Sequence, residues 1–396
     1  MGKQWEAVVA GHVCLDITPH FEAAEARDIS EVLIPGKLVA MHGVELSTGG
    51  AAANTGTALT LMGISGTLMG KIGTDAFGSI VEDLSRKRGV AEGLLRVECA
   101  RTSYTVALAP PGTDRILLHD PGANDTFVAA DVRYEQVAHA RLFHFGYPPI
   151  MEQMYAENGA ELEAMFRRVK ASGVTTSLDM ALPDPSSKAG RADWQRIIER
   201  SLPYVDIFLP SVEEILYMLD RPQYERLVAW AAGHDMMEVL DIDILPGIAH
   251  RLLEYGACIV GIKCGKLGFF LATASADQLA AIGDGAPTDP ERWAERTLFA
   301  ETYKPDRILS TTGAGDSSIA GFLSALLRGR GPEQTLRVAC AAGANTTRVY
   351  DTTSGVESLE SMERWIASGP ERNRLAYSGS AWRFDEAGDL WTMELG

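Results

Sequence analysis

The chain has 396 residues, of which 46% are hydrophobic and 22% are charged, so it can bury a large core. It carries 36 Lys and Arg residues against 53 Asp and Glu residues, and the net charge of −17 opposes binding to nucleic acid or to anionic membranes. The five cysteines are scattered without a CxxC pair, which argues against a disulfide framework or a zinc site and favours a cytoplasmic location.

The first predicted element is a buried strand within residues 1–17, where a short apolar run is flanked by Glu6 and Asp16 and is too short to span a bilayer. Residues 17–48 and 96–124 then show an alternation of period two, interrupted by Pro and Gly turns. This pattern predicts antiparallel strands that form a small β-sheet lid, separate from any main sheet.

Continuous apolar runs further along the chain indicate parallel strands that are covered on both faces. They lie at residues 141–147, 174–181, 205–211 and 257–265. Residues 152–171 and 190–200, which lie between them, have helical periodicity. The alternation predicts an α/β fold with a doubly wound, mostly parallel sheet, and such sheets bind ligands at the carboxyl ends of their strands.

The stretch STTGAGDSSIAGF at residues 310–322 joins small residues and one acid to the start of an apolar helix, predicted from near Gly315 to Gly329. Amides at a helix start are unpaired and attract anions. Asp316 suits this place if it takes a proton from a hydroxyl while the amides hold a transferring phosphoryl group. The alternative is a tight turn followed by an ordinary first-turn acid. A P-loop motif is absent from the sequence.

The TTGAGD motif resembles the signature of the PfkB (ribokinase-like) family of carbohydrate kinases. A second motif of that family, G-x-[IV]-G-x-D-x-[FY]-G, is matched upstream by Gly70, Ile72, Gly73, Asp75, Phe77 and Gly78. The resemblance extends over about residues 7–358. It implies a three-layer α/β core, a β lid that covers the substrate, and transfer of the γ-phosphate of MgATP to a hydroxyl of a sugar or nucleoside.

The same resemblance implies roles for residues on the acceptor side. Asp316 matches the catalytic base, and the anion hole corresponds to Gly313, Ala314 and Gly315. The substrate-binding positions correspond to Asp16, Gly49, Gly50 and Asn54. Alternatives remain for two of them, because Asp16 could be a turn residue at a strand end and Asn54 could cap a helix.

On the nucleotide side, Glu214 matches the acid that organises Mg²⁺, although Ser211 replaces the usual Asn. The implied ATP-binding positions are Lys263, Gly265, Gly268, Thr311 and Cys340. Lys263 would either contact a phosphate or point into solvent, and Cys340 could serve only in helix packing. Ser310 replaces the Asp of potassium-activated members and so removes a hard anionic ligand, and the sequence leaves dependence on a monovalent cation open.

The identity of the acceptor is less constrained. Ala51 stands where ribokinases carry Lys, which disfavours ribokinase itself. Lid residues that could reach a ligand are Tyr104, Arg101, Arg115, His119 and Asn124. Arg101 or Arg115 could pair with an acidic sugar, although lid arginines are usually solvated. Tyr147 would either stack on a ring or be a loop aromatic fixed by the prolines that follow it.

We expect a kinase domain over residues 1–370 and a C-terminal extension at 371–396, where Trp382 and Phe384 begin a predicted β-hairpin that packs on the core or on a second subunit. Two insertions, at residues 219–248 and 272–306, are expected to add a helix and to lengthen a strand pair. The predicted function is that of an ATP-dependent sugar kinase that uses Mg²⁺, with a homodimer as a further expectation. A nucleoside kinase and a non-catalytic sugar or nucleotide sensor are the alternatives.

Overall fold

A computed structural model describes residues 4–21, 34–108 and 116–393 of the chain. The strands are β1 (Ala7–Gly11), β2 (Cys14–Pro19), β3 (Val44–Gly49), β4 (Gly66–Met69), β5 (Lys71–Gly73), β6 (Leu95–Val97), β7 (Tyr104–Leu108), β8 (Ile116–Asp120), β9 (Leu142–Gly146), β10 (Thr175–Asp179), β11 (Ile207–Phe208), β12 (Ile259–Cys264), β13 (Gly268–Thr273), β14 (Thr297–Glu301), β15 (Arg383–Asp385) and β16 (Leu390–Thr392).

The helices are α1 (Ala51–Leu61), α2 (Ala76–Lys87), α3 (Tyr134–Val137), α4 (Glu152–Lys170), α5 (Trp194–Ser201), α6 (Val212–Leu219), α7 (Arg221–Ala231), α8 (Leu245–Glu254), α9 (Ala276–Ala280), α10 (Pro290–Trp293), α11 (Ala314–Leu327), α12 (Pro332–Thr346) and α13 (Leu359–Ala367). In the described ranges, no helix is both long and apolar enough to cross a membrane.

The core of the fold is a ten-stranded sheet with the order β15-β16-β14-β13-β12-β11-β10-β9-β1-β4. The six strands from β12 to β4 run parallel, while β13, β14, β16 and β15 add an antiparallel edge. The prediction of a doubly wound, mostly parallel sheet is therefore confirmed. Each of the four apolar runs contains a strand, although the run at 205–211 pairs only over Ile207–Phe208.

Successive side chains of β1 point to opposite faces of the sheet and enter two different hydrophobic clusters. Ala7 and Val9 pack in the cluster that contains residues of α1, α11 and α12. Val8 and Ala10 pack in the cluster that contains residues of α4, α5 and α8. Helices therefore cover both faces of the sheet, and this three-layer arrangement leaves the carboxyl ends of the strands available for a site.

A separate four-stranded sheet has the order β3-β2-β7-β8, and it confirms the predicted small sheet beside the main one. The expected all-antiparallel pairing is wrong for β2 and β7, which run parallel. Only strands joined by a tight turn must be antiparallel, whereas β2 and β7 are joined through part of the core. Part of each predicted lid segment lies outside the described residues: 22–33 in the first, and 109–115, which includes Arg115, in the second.

The first insertion contains α7, in which Leu227 is buried while Val228 and Trp230 are exposed. The prediction for residues 272–306 is wrong in one respect, because the extra residues do not lengthen β13 or β14. They form α9 and α10, since Ser275 caps the first helix in a capping box and Asp289 caps the second.

The C-terminal segment forms an antiparallel pair, β15 and β16, and β16 extends the main sheet by pairing with β14 of the same chain. Trp382 is only 5% exposed. Its ring lies 6.1 Å from that of Phe270 and 6.4 Å from that of Phe299, measured between centroids. In the structure the tail therefore packs on the core of its own chain.

Candidate active site

The loop that leads into α11 has a conformation that requires a small residue. Gly313 precedes the helix with φ = 75°, a left-handed conformation, and a side chain there would press against Thr352. The Ala314 amide donates to the Thr311 carbonyl at 3.3 Å. Within the described ranges, the amides of Gly313 and Gly315 have no protein acceptor. The helix start thus presents amides that remain available to a ligand.

Asp316, in the first turn of α11, is almost fully buried and is held by two donors. Its Oδ2 accepts a hydrogen bond from Asn54 Nδ2 at 2.9 Å, and its Oδ1 accepts one from the Tyr147 hydroxyl at 2.9 Å. The Thr352 hydroxyl donates to Asn54 Oδ1 at 2.8 Å and so fixes the amide. Burial raises the pKa of Asp316 to about 6, and the two hydrogen bonds oppose this rise.

A cavity of about 600 Å³ opens beside Asp316 and is lined by Asp16, Asn54, Gly50, Gly313 and Gly315, among others. Burial raises the pKa of Asp16 to about 6, while the thiol of Cys14, which donates to it at 3.3 Å, lowers that pKa. We call the four-stranded sheet β3-β2-β7-β8 the lid sheet, and we call the space between it and the start of α11 the acceptor cavity.

Two glycines allow the backbone to approach closely at the acceptor cavity. A side chain at Gly49 would collide with the carboxylate of Asp16. Gly50 has φ = 87°, and a Cβ there would lie 2.5 Å from the His12 carbonyl oxygen. The predicted di-glycine therefore has a steric reason, because it lets α1 begin directly after β3 and bring Asn54 to Asp316.

A second cavity of about 490 Å³ contains the residues predicted for the nucleotide side: Glu214, Lys263, Gly265, Gly268, Thr311 and Cys340. Ala314 also lines it. Tyr147, Thr311 and Gly315 line both cavities, so the two spaces meet at the start of α11. We call the second space the nucleotide cavity.

Lys263 does not point into solvent, so that alternative is wrong. Its side chain is 12% exposed, and its Nζ lies 2.5 Å from Asp179 Oδ1 and 2.6 Å from the Leu209 carbonyl oxygen. Burial raises the pKa of Asp179, while the neighbouring ammonium group opposes this rise. The ion pair places positive charge beside Gly315, whose Cβ position lies 3.6 Å from Lys263 Cε.

Glu214 lies in the first turn of α6, where it forms a capping box with Ser211. The Ser211 amide donates to Glu214 Oε2 at 2.6 Å, so the other carboxylate oxygen can serve a ligand. Among the described residues there is no group of three or more potential metal ligands. Mg²⁺ in kinases usually takes one or two carboxylates with phosphate oxygens and waters, and Glu214 fits that requirement.

Several lid residues named from the sequence do not reach the acceptor cavity. Asn124 is used internally, since its amide bonds both the N–H and the carbonyl of Val13. Arg101 is 79% exposed and pairs with Asp120 at 3.5 Å. Tyr104 packs its ring against Phe77. Only His119 of the described candidates lines the cavity.

The sequence did not single out His12, Asp179 or Thr352, and it left the role of Tyr147 open. His12 and Asp179 lie at or just after the carboxyl ends of β1 and β10, a position that could have drawn attention to them. Tyr147 follows β9 in the left-handed region, with φ = 70°, and this conformation aims its hydroxyl at Asp316. Thr352 has no comparable signal.

The fold and the two-cavity site define a ribokinase-like α/β protein, and solved structures share this fold. The chain resembles Arabidopsis thaliana ribokinase, solved with ribose and ATP, at 18% identity and a TM-score of 0.65, covering 92% of this chain and 99% of that one. A candidate ribokinase II from Escherichia coli, solved with ATP and Mg²⁺, gives 19% identity and a TM-score of 0.66 over the same shares of the two chains.

Sequence comparison identifies the family. Residues 11–359 match the model of the pfkB family of carbohydrate kinases, and the chain belongs to that family, whose members transfer a phosphoryl group to a hydroxyl acceptor. An uncharacterised sugar kinase of Archaeoglobus fulgidus is 24% identical over 289 residues, which cover 72% of this chain and 92% of that relative.

Proposed function

We propose that the protein transfers the γ-phosphate of MgATP to a hydroxyl group of a sugar or sugar derivative. The observation that carries this proposal is the meeting of two cavities at the start of α11, with Asp316 lining one and Ala314 lining the other. Phosphoryl transfer needs an acceptor and a nucleotide on opposite sides of one anion-binding point. Family membership and the sugar-kinase relative support the same reaction.

In this proposal Asp316 accepts the proton of the acceptor hydroxyl. Asn54 and Tyr147 hold its two oxygens, so the carboxylate cannot rotate away from the acceptor. The amides of Gly313 and Gly315 receive the negative charge of the transferring group, whereas the Ala314 amide, also predicted for this role, donates to the Thr311 carbonyl. Asp16, supported by the backbone at Gly49 and Gly50, accepts hydrogen bonds from other acceptor hydroxyls.

The nucleotide cavity would hold ATP over Gly265 and Gly268, with Thr311 and Lys263 near the phosphates and Cys340 beside the base. Glu214 would hold Mg²⁺, and the ion would supply neutralisation of charge on the phosphate oxygens. Two observations support this role of Glu214: the Ser211 amide occupies only Oε2 of its carboxylate, and its side chain lines the nucleotide cavity. ATP and Mg²⁺ are both present in the E. coli neighbour.

The replacement of Asp316 by Asn tests the assignment. Asp316→Asn should lower kcat by about 10² to 10⁴, because general-base assistance is typically worth that factor. ATP binding, measured by calorimetry, should change little, since Asp316 lines the acceptor cavity. Asp277→Asn, an exposed position on α9, is the matched control and should retain wild-type turnover.

The same pair of variants separates a kinase from a non-catalytic sensor. If Asp316→Asn turns over ATP with the acceptor as fast as wild type, the proposed base is wrong. If the wild-type protein releases no ADP with any sugar or nucleoside, the sensor alternative replaces the kinase. A nucleoside that outperforms every sugar would identify the nucleoside kinase alternative.

A cytoplasmic location and a homodimer remain proposals. All five cysteines are free, which suits a reducing compartment. Sedimentation velocity at micromolar concentration checks the association state, and we expect a dimer. A monomer at every concentration tested would contradict that expectation.

A further inference from the structure

Part of the C-terminal extension reaches the nucleotide cavity. The match to the family model ends at residue 359, and the resemblance seen in the sequence implies no site residue beyond it. Asn373 nevertheless lines the nucleotide cavity, as do Thr302, Tyr303 and Cys340. The extension therefore contributes a side chain to this cavity, in addition to the packing contacts that it makes with the core.

Asn373 lies at the end of the nucleotide cavity that is remote from the phosphate-binding residues. Lys263, beside Gly315, is on β12, and β13 and β14 follow β12 in the sheet. Just beyond β14, Tyr303 forms an antiparallel bridge with Arg372. Neighbouring strands are about 4.8 Å apart, so three such steps place Asn373 about 14 Å across the sheet from Lys263. A nucleotide with its phosphates at Gly315 would therefore direct its base towards Asn373.

The backbone at Asn373 is fixed by contacts on both sides of the residue. Its amide donates to the Thr302 carbonyl at 2.9 Å. The preceding side chain, Arg372, is buried, lies 4.3 Å from the ring centroid of Tyr303 and pairs with Asp389 at 2.7 Å. A side chain that is held on fixed backbone can discriminate between ligands, because it does not move to suit each of them.

The side-chain amide of Asn373 is only partly used within the protein. Its Nδ2 donates to the Lys266 carbonyl at 3.3 Å, and because a carbonyl can only accept, this contact fixes which end of the amide is nitrogen. Among the described residues, no group donates to Oδ1 of Asn373. The half-buried amide therefore offers a ligand one acceptor and the second hydrogen of Nδ2.

We infer that the C-terminal extension completes the nucleotide site and that Asn373 is a specificity-determining residue that selects adenine. This inference rests on the proposed kinase function and assigns the choice of its nucleotide. An Asn amide matches the edge of adenine, since its oxygen accepts from the 6-amino group while its nitrogen donates to N7. A 6-oxo base presents two acceptors at that edge, so Oδ1 would face an acceptor and remain unpaired.

The test is titration calorimetry of the full-length protein with ATP, GTP and ITP, each in the presence of Mg²⁺. ITP carries the 6-oxo group of guanine but lacks its 2-amino group, so it separates hydrogen bonding at position 6 from the size of the base. We expect ATP to bind about tenfold or more tightly than either GTP or ITP, which is the discrimination usual for a bidentate amide–base pair. The measurement needs no acceptor sugar.

A pair of tail variants tests the assignment to Asn373. Asn373→Leu keeps the approximate size of the side chain and removes both polar atoms. It should weaken ATP binding about tenfold and change ITP binding by no more than about twofold, so the ratio of the two Kd values falls about fivefold or more. Ser378→Ala, at an exposed position of the same segment, is the matched control and should keep the wild-type ratio.

Three results would overturn the inference and leave the kinase assignment intact. The first is equal binding of ATP and ITP by the wild-type protein. The second is an unchanged ratio in Asn373→Leu, which includes the case in which both nucleotides weaken equally because the tail has loosened. The third is a ratio that falls as far in Ser378→Ala. Selective ATP binding that depends on Asn373, without ADP release on any sugar or nucleoside, would instead support the inference and contradict the proposed function.

Discussion

Asp316 owes its setting to side chains from three separate parts of the chain. Asn54 comes from α1, Tyr147 from the loop after β9 and Thr352 from the segment after α12. Both carboxylate oxygens are occupied by donors, and hydrogen bonds from two neutral groups stabilise the ionised form. The base can therefore be ionised near neutral pH although it is buried.

This setting predicts how activity depends on pH. Burial raises the pKa of Asp316 and of Asp16 to about 6. Asp316 must be ionised to take the proton of the acceptor hydroxyl, and Asp16 offers both of its oxygens as acceptors only when it is ionised. The value of kcat/KM should therefore be fully present above both pKa values and fall as pH is lowered through about 6. We expect the fall to be steeper than a single ionisation allows, as measured by initial rates between pH 5 and 9 in about half-unit steps.

Tyr147 should act through Asp316 rather than on the substrate. Tyr147→Phe removes one hydrogen bond to the carboxylate, so the pKa of Asp316 should rise further and the acidic limb of kcat should move up by about one pH unit. At pH 8 the loss of kcat should be less than about tenfold, because the base is still ionised there.

Tyr155→Phe is the matched control, since Tyr155 lies on α4 and lines neither cavity. Its profile should coincide with that of the wild-type enzyme. An acidic limb that stays in place in Tyr147→Phe would show that the hydroxyl does not support the base.

At the scale of elements, the start of α1 depends on one residue. Gly50 has φ = 87°, and a Cβ there would approach the His12 carbonyl oxygen to 2.5 Å. Gly63 also has φ = 87°, but a Cβ there would meet nothing within 4 Å. The two glycines share a backbone conformation and differ in their surroundings, so they form a matched pair.

Gly63→Ala should cost about 1–2 kcal/mol of unfolding free energy from backbone strain alone. Gly50→Ala should cost about 1–3 kcal/mol more, because the methyl group also displaces packed backbone. Urea denaturation followed by fluorescence measures both. Equal losses would show that the close approach to His12 contributes nothing to stability.

At the scale of the whole molecule, the C-terminal tail completes the main sheet although it follows the family match, which ends at residue 359. Trp382 fills space beside Phe270 and Phe299, and Glu301 of β14 accepts a hydrogen bond from Trp391 Nε1 at 3.0 Å. The tail therefore contributes to the hydrophobic core, and β16 also covers the edge of β14 that would otherwise be unpaired.

Trp382→Ala should lower the unfolding free energy by about 3–5 kcal/mol, the usual cost of removing a buried aromatic side chain. Trp230→Ala is the control, since Trp230 is 71% exposed on α7, and it should change stability by no more than about 0.5 kcal/mol. Chemical denaturation of the two variants gives the comparison. A tail that contributes no packing would make the two losses equal.

Much of the fold could be predicted because its signals are local. Continuous apolar runs specify strands that are buried on both faces, so β9, β10 and β12 were predicted within two or three residues. The direction of β7 beside β2 could not be predicted, because strand pairing over long separations is set by how the layers pack. The helices α9 and α10 were not predicted, because they are short and are stabilised by N-terminal caps rather than by an apolar face.

The sequence alone determined the start of α11 and the position of Asp316, because both depend on backbone freedom within a few residues. Only the tertiary structure decided that Tyr147 and Asn54 bind Asp316, that Lys263 pairs with Asp179, and that Asn373 lines the nucleotide cavity. These contacts join residues far apart in the chain. Their geometry and their burial, which sets the pKa values, exist only once the layers have packed.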